Sequence, residues 1–552
     1  MDYVKEIPRR AEWRRSSRVG SLGKTRAMTN DAASGSGAPA RAAVVLSTLI
    51  GVATVANLNL AVANVALPDI GRHFDASQTA INAVAVGFSL GLAATVLWLG
   101  ALGDRYGRRA MLLLGMGLSV PASLLAGYAP NIAVLAGARI LGGVAAGMAF
   151  PTTLALITAL WSGTPRTRAI ALWSGIGGAM SAAGPLVAGA LLVKFWWGSV
   201  FVVTTPLAVA GFIAAWLFVP AHVNEDTSPV DNLGGVLSVV MVAATVVAIT
   251  LAPEPGAGTT AIIIGLVALA ALGAFVLRQR RVRVPLYDLA IAGRRTFWVA
   301  AVAGMLVFGA LVGAMYIGQQ YLQNVLGYST WEAGMAILPT AAFMVIMAPV
   351  SALIIERRGS RDALLSGFIS VGLGFGVMFL LWDQDASYLP VAVAYSFLGI
   401  GVGLAGPPAS KSLTESVPVA RAGMASATAD LQRDLGGAVL QALLGAILTA
   451  GYAKAFTAQI DSAPSTVSDS VASQLTKSFS SAENVAAQYP QYSTQIVDAA
   501  RQSFVDGQHA AFLVGIVAML LGLGVVWFGF PSKRAEADLV AGYQRDDEVA
   551  SV

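Results

Sequence analysis

Fourteen runs of about 20 predominantly apolar residues follow one another along the chain, each long enough to cross roughly 30 Å of hydrocarbon as a helix. They lie near residues 44–66, 80–101, 110–128, 131–155, 169–191, 199–219, 232–252, 260–277, 297–318, 334–355, 363–382, 388–407, 423–450 and 509–530. Lipid offers no water to satisfy backbone N–H and C=O groups, so such runs must close their hydrogen bonds internally as helices. Composition agrees, since 56% of the 552 residues are apolar and only 12% charged, with a mean hydropathy of +0.69. That is too oily for a soluble chain of this length. The reading is an all-α polytopic membrane protein embedded in a lipid bilayer. Cysteine is absent, which excludes disulfide and thiol chemistry. A net charge of +5 and a pI of 9.4 would suggest nucleic acid for a soluble protein. Here the cations flank apolar runs, where they set topology, and no nucleic-acid partner is implied.

Loops after even-numbered runs carry Arg105, Arg108 and Arg109, then Arg166 and Arg168, then Arg278 to Arg295, then Arg357, Arg358 and Arg361. Loops after odd-numbered runs carry few cations. The positive-inside rule therefore places these loops and both termini in the cytoplasm. The acidic loop 220–231 weakens one vote, because the rule counts only Lys and Arg. Residues 1–43, with Lys5, Arg9, Arg10, Arg14, Arg15 and Arg18, predict a disordered basic cytoplasmic tail facing solvent or anionic headgroups. No apolar core precedes a cleavage site there, so the segment is not a secretory signal; Met28 is an alternative start. Residues 44–219 form the expected N-terminal six-helix bundle, and 220–296 a linker with two extra spans. Residues 297–530 form the C-terminal six-helix bundle with an external loop at 451–508, of which parts such as Ser481 to Ser503 have some helical character, followed by a cytoplasmic tail at 531–552.

Between the second and third runs stands Gly100-Ala-Leu-Gly-Asp104-Arg105-Tyr-Gly107-Arg108-Arg109. A weaker copy, Glu356-Arg357-Arg-Gly359-Ser-Arg361, stands about half a chain later, again between two apolar runs. A carboxylate, several cations and a hinge-like glycine at a membrane surface can form ion pairs in one arrangement and release them in another. The decapeptide resembles the loop between the second and third helices of the major facilitator superfamily, and its echo suits a transporter built from two related bundles.

Fourteen runs, with two inserted centrally at about 232–277, resemble the fourteen-helix drug:proton antiporter branch of that superfamily, which includes quaternary-ammonium and multidrug exporters. Asn64-Val-Ala-Leu-Pro68, Pro285-Leu-Tyr-Asp-Leu289 and Gln320-Tyr-Leu-Gln323 agree with that branch. Gly175, Gly177, Gly178, Gly184-Pro185 and Gly189 resemble its antiporter motif, in which proline bends a helix and glycines admit a neighbouring backbone. The family's Trp-Arg-Trp and Asn-Val-Pro that follow are replaced by Trp197-Gly198-Ser199 and Thr204-Thr205-Pro206.

Charges at membrane depth cost at least about 2.5 kcal/mol at a helix centre and persist only if paired, wet or functional. Arg139 is one, and by resemblance it takes part in proton coupling, although Gly142 replaces the usual Gln. Asp430, Arg433, Asp434, Gly437 and Gln441 recur at i, i+3, i+4, i+7 and i+11 and form one polar stripe, with the carboxylates roughly 12 and 18 Å deep. The acid pair resembles one carried by quaternary-ammonium exporters; a structural Asp-Arg-Asp cluster is the other reading. Where the branch carries a first-span Asp, this chain has Asn59, which cannot titrate. Cavity candidates are Asn59, Trp173, Tyr316, Phe343, Tyr395 and Gln441.

The expectation is a monomeric plasma-membrane exporter of amphiphilic cationic or neutral drugs, driven by the proton gradient without a cofactor. The alternatives are an exporter or flippase of an endogenous lipid or secondary metabolite, without proton coupling, and a non-transporting receptor or scaffold. His73, His222 and His509 are dispersed and no nucleophile or metal set accompanies them, so no enzyme and no metal site are expected.

Overall fold

A computed structural model describes residue 39 and residues 41–161, 163–221, 229–418, 422–462 and 468–550, apart from some side chains in 163–183, 422–427 and 548–550. Met28, the basic tail to residue 38, Arg166 and His222 lie outside the described residues, as do the surroundings of Gly175, Gly177 and Gly178.

Every described element is helical. The first half holds α1 (Ala42–Ala61), α2 (Ala63–Phe74), α3 (Gln78–Tyr106), α4 (Arg108–Gly127), α5 (Ile132–Leu160), α6 (Gly163–Leu192), α7 (Ser199–Val202) and α8 (Thr204–Phe218). Side-chain caps set two starts: the Ser77 hydroxyl accepts the Ala80 N–H at the head of α3, and Asn131 accepts that of Val134 at the head of α5. Each satisfies a donor that the first helical turn leaves free. Then come α9 (Asn232–Leu251), α10 (Gly258–Arg281) and the short α11 (Leu289–Ala292). The second half holds α12 (Arg295–Gln320), which runs into a π-helical turn at Tyr321–Val325, then α13 (Thr330–Met335), α14 (Leu338–Arg358), α15 (Ser360–Leu381), α16 (Tyr388–Glu415) and α17 (Ala422–Asp461). It ends with α18 (Asp469–Lys477), α19 (Phe479–Gln488), α20 (Ser493–Gly529) and α21 (Lys533–Ala550).

Thirteen helical stretches are long and apolar enough to cross a membrane among the described residues. Helix α6 occupies the remaining expected run, with many of its side chains outside the described residues. Within the first half α3 and α4 pack on α5, and α1 packs on α6 and α8. Within the second, α12 packs on α17, α16 on α14 and α15, and α20 on α15 and α17. The halves meet where α3 packs on α17 and α6 on α13; α9 lies against both α3 and α17.

Within residues 451–508 the helical character extends beyond Ser481 to Ser503: α17 continues to Asp461, α18 and α19 follow, and α20 starts at Ser493. In the C-terminal tail α21 docks on the bundle, with Glu536 buried.

Candidate transport pathway

Both copies of the loop motif turn on a glycine that adopts a backbone few other residues tolerate: Gly107 has φ 109° and Gly359 φ 99°. In the first copy Asp104 pairs with Arg108 at 2.8 Å, and Arg108 also reaches the Ala155 carbonyl at 3.2 Å. Arg109 donates to the Trp216 carbonyl in the last turn of α8, while Arg105 lies 5.4 Å from the Tyr106 ring. Gly100 faces open space. In the second copy Arg361 takes the place of Arg109, donating at 2.6 Å to the Trp527 carbonyl near the end of α20. The two halves thus use the same cation on the same kind of target, a free carbonyl at a helix C-terminus. Ser360 replaces Arg108, and the ion pair is replaced by α21. Lys533 donates to the Glu356 and Arg357 carbonyls at 2.5 and 3.4 Å, and Glu536 accepts from the Ser360 hydroxyl at 2.6 Å.

At the opposite end of the bundle the halves are joined by neutral hydrogen bonds. The Gln78 amide on α3 donates to Gln320 at 2.9 Å and to the Tyr316 hydroxyl at 3.2 Å, both on α12. Asn82 donates to the Ala442 carbonyl at 3.3 Å, and Gln323, in the π turn, to that of Val65 at 3.0 Å. Outside this layer Lys477 of α18 pairs with Asp75 at 2.9 Å and Glu483 of α19 with Arg72 at 2.9 Å. Partial burial pushes the Asp75 carboxyl up, but the Lys477 ammonium and hydrogen bonds from Ser481 and Asn484 outweigh it and hold it below the usual range. Gln78 and Asn82 went unnoticed in the sequence. The only available signal was two amides near the start of an apolar run.

The antiporter-motif residues pack along a seam. Gly184 faces Ala61 of α1, and Gly189 faces α13, where a methyl group would sit 2.7 Å from the Thr330 carbonyl. The Pro185 carbonyl is approached in turn by Gly334. Small residues therefore allow α6 to touch both its own half and the other.

Arg139 is 2% exposed. Its Nη1 donates to the Asn59 carbonyl at 2.7 Å and its Nε to Val84 at 3.5 Å, with the Phe88 and Phe201 rings 4.9 and 5.4 Å away. Its Nη2 has no hydrogen-bond partner. No carboxylate pairs with it among the described residues, so carbonyls and ring faces, not an ion pair, hold this charge. The Asn59 amide oxygen is occupied by the Thr204 hydroxyl at 3.1 Å.

On α17 the Asp430 and Asp434 side chains are buried and both face Arg433, at 3.5 and 3.4 Å. The Arg433 guanidinium reaches across to the first half and lies 5.0 Å from the Phe150 ring of α5. Phe150 packs on Trp173 of α6 at 5.4 Å, and the Trp173 indole N–H donates to Thr153 at 2.9 Å. The stripe thus joins Trp173 to the acid pair through Phe150, which the sequence had not singled out. Gln441 is buried with its Nε2 unpartnered. Tyr316 belongs to the amide layer, Tyr395 packs edge-on against Trp382 at 5.7 Å, and Phe343 is half-buried on the outward-facing α14. The expected cavity set is therefore dispersed over several places.

The family model for the Major Facilitator Superfamily matches residues 49–440. The chain belongs to that superfamily. It is similar to the multidrug efflux pump LfrA of Mycolicibacterium smegmatis, 32% identical with 89% of this chain and 97% of that one covered. It is 31% identical to the multidrug resistance protein Stp of Mycobacterium tuberculosis, with 86% and 89% covered. The tetracenomycin C resistance and export protein of Streptomyces glaucescens is 26% identical, with 89% and 92% covered. Among solved structures, a bacterial homolog of the human lysosomal transporter Spinster, inward-facing and occupied, matches with a TM-score of 0.62 at 13% identity, covering 88% of this chain and 96% of that one. That likeness carries the fold alone. This major facilitator protein is therefore a multi-pass membrane transporter and not an enzyme.

Proposed function

We propose that this transporter exports amphiphilic drugs, cationic or neutral, across the plasma membrane in exchange for protons, by alternating access of a central site. The single observation that carries the reading is the buried pair Asp430 and Asp434, set where α17 of one half meets an aromatic wall of the other. Two acids there can take up a proton or a cation, and the ionised state needs a paired or wet surrounding, which Arg433 supplies. The names of LfrA, Stp and the tetracenomycin C exporter support drug efflux. Arg139 serves in coupling, and the two loop motifs with the amide layer serve as alternately opening ends. Because Asn59 cannot titrate, coupling rests on α17 and not on the first span. We assign α6 as the fourteenth span, the two bundles to residues 44–219 and 297–530, and both termini to the cytoplasm.

The test is drug flux in vesicles across a pH series. The Asp430→Asn, Asp434→Asn double variant is expected to fold yet lose gradient-driven accumulation. Unchanged pH-driven transport would remove the pair from coupling and leave it a structural role beside Arg433.

A further inference from the structure

We propose that Arg433 is a tethered stand-in for the cationic substrate: its guanidinium occupies the site that an organic cation takes, and leaves when one arrives. This rests on the reading of Asp430 and Asp434 as the substrate site. It goes further by naming what fills that site when no drug is bound.

The buried, unpartnered oxygen of Asp434, more than distance alone, separates a stand-in from a clamp. Some ion pairs elsewhere in the molecule are short, with Asp104 and Arg108 at 2.8 Å, Asp231 and Arg278 at 3.0 Å and Asp547 and Arg294 at 2.5 Å, while Asp498 and Arg501 stand at 3.7 Å and Glu536 and Lys411 at 3.9 Å. Charge-assisted N–H to carboxylate bonds ordinarily fall near 2.7–2.9 Å. Arg433 instead stands 3.5 Å from Asp430 and 3.4 Å from Asp434, touching one oxygen of each. The second oxygen of Asp434 is buried and has no partner. The Asp434 side chain is only 4% exposed, whereas that of Arg433 is 34% exposed. A buried carboxylate oxygen left unpaired is costly, so this one is poised for a donor or cation that the resting arrangement does not supply. The Phe150 ring, backed by Trp173, forms a face against which the guanidinium lies. Carboxylates beside aromatic faces suit an organic cation as well as they suit a guanidinium.

Charge counting gives the stand-in a purpose. Two ionised carboxylates with the guanidinium in place leave the site one unit negative, and a drug cation that takes the guanidinium's place leaves the same net charge, so one can replace the other without a change of charge in the site. With the drug released, two ionised carboxylates would need two protons to pass through the closed intermediate uncharged. Arg433, on the same helix as both, returns to the site and supplies one counter-charge, so that a single exchanged proton supplies the other. If Arg433 occupies the site about nine-tenths of the time, it lowers apparent cation affinity about tenfold, because affinity scales with the fraction of competent sites.

The experiment uses the purified full-length protein in lipid nanodiscs at about pH 8, without a gradient, and tetraphenylphosphonium as the probe. Arg433→Gln is expected to bind the probe about tenfold more tightly than wild type. In proteoliposomes the same variant should keep exchange of internal for external probe while losing net efflux, since one exchanged proton then no longer neutralises the empty site during return. Arg433→Lys should restore net efflux in part. Unchanged or weaker probe binding by Arg433→Gln overturns the proposal. If that variant does not fold, probe binding by Arg433→Lys decides: tighter than wild type supports the stand-in, equal or weaker refutes it. Asp434→Asn separates the two readings. If it binds the probe like wild type, the acid pair is not the substrate site; if it loses binding while Arg433→Gln gains none, only the stand-in fails.

Discussion

At the scale of single residues, the departure with the clearest physical consequence is Asn59. An amide there leaves Arg139 as a desolvated cation whose Nη1 already lies 2.7 Å from the backbone carbonyl of residue 59 and whose Nη2 is unpartnered. Carbonyl dipoles and ring faces replace a counter-ion, which keeps the charge in place without a group that can release a proton. Asn59→Asp is nearly isosteric and keeps an acceptor for the Thr204 hydroxyl. It is expected to add a titrating group, so that the pH profile of drug flux gains a second step and more protons move per drug. Flux and reversal-potential measurements in vesicles check this, and a profile identical to wild type would show that the first span takes no part in coupling.

At the scale of elements, α21 is a strap across the Arg-rich end of the second half, built on one helical turn. Lys533 meets the carbonyl end of α14, and Glu536, three residues on, meets the N–H end of α15 at Ser360. Each charge opposes the partial charge of the helix end it touches. Farther along, Asp547 grips Arg294 at 2.5 and 3.0 Å, and Tyr543 accepts from the Arg295 N–H at 3.2 Å, which ties the strap to the head of α12. Glu536→Gln keeps the shape and removes the charge, and is expected to weaken docking by about 1 kcal/mol. Amide exchange around Ser360 and along the first turns of α21 should rise roughly fivefold. Unchanged exchange would mean that the contacts of Lys533, Tyr543 and Asp547 hold the strap without the Glu536 charge.

At the scale of the whole molecule, the two ends are organised by different chemistry. The ion pair and helix-end caps of the Arg-rich motifs each stay within one half, while at the other end buried amides link α3 to α12 and α17, with the Asp75–Lys477 and Arg72–Glu483 pairs outside them. An amide layer carries no charge to desolvate, so breaking it on opening costs less than separating buried ions. Topology is tested at this scale in a chain that has no cysteine of its own. Ser470 and Arg358 are both exposed, on opposite ends of the bundle. Ser470→Cys is expected to react with an impermeant thiol reagent in intact cells, and Arg358→Cys only after the membrane is opened. The reverse pattern would invert the orientation.

Helicity, membrane residence, the twofold repeat and the loop motifs were legible in the sequence because they depend on local properties: hydropathy over 20 residues, charge at the ends of runs, and glycine at a fixed offset. The acid pair on α17 was legible for the same reason, since helical periodicity alone places Asp430, Arg433 and Asp434 on one face. What joins one helix to another was not. Gln78 finds Gln320 across 242 positions, Arg433 finds Phe150 from the other half, and Glu536 caps a helix that begins 176 positions earlier. Within 451–508 the helical character of Ser481 to Ser503 was legible, while α18 and the docking of α21 were not, because their short apolar faces are completed only by the surface they cover. Local chemistry determined which segments become helices and which carry charge; only the packed bundle decided which charges and amides meet, because partners far apart in sequence leave no periodic trace.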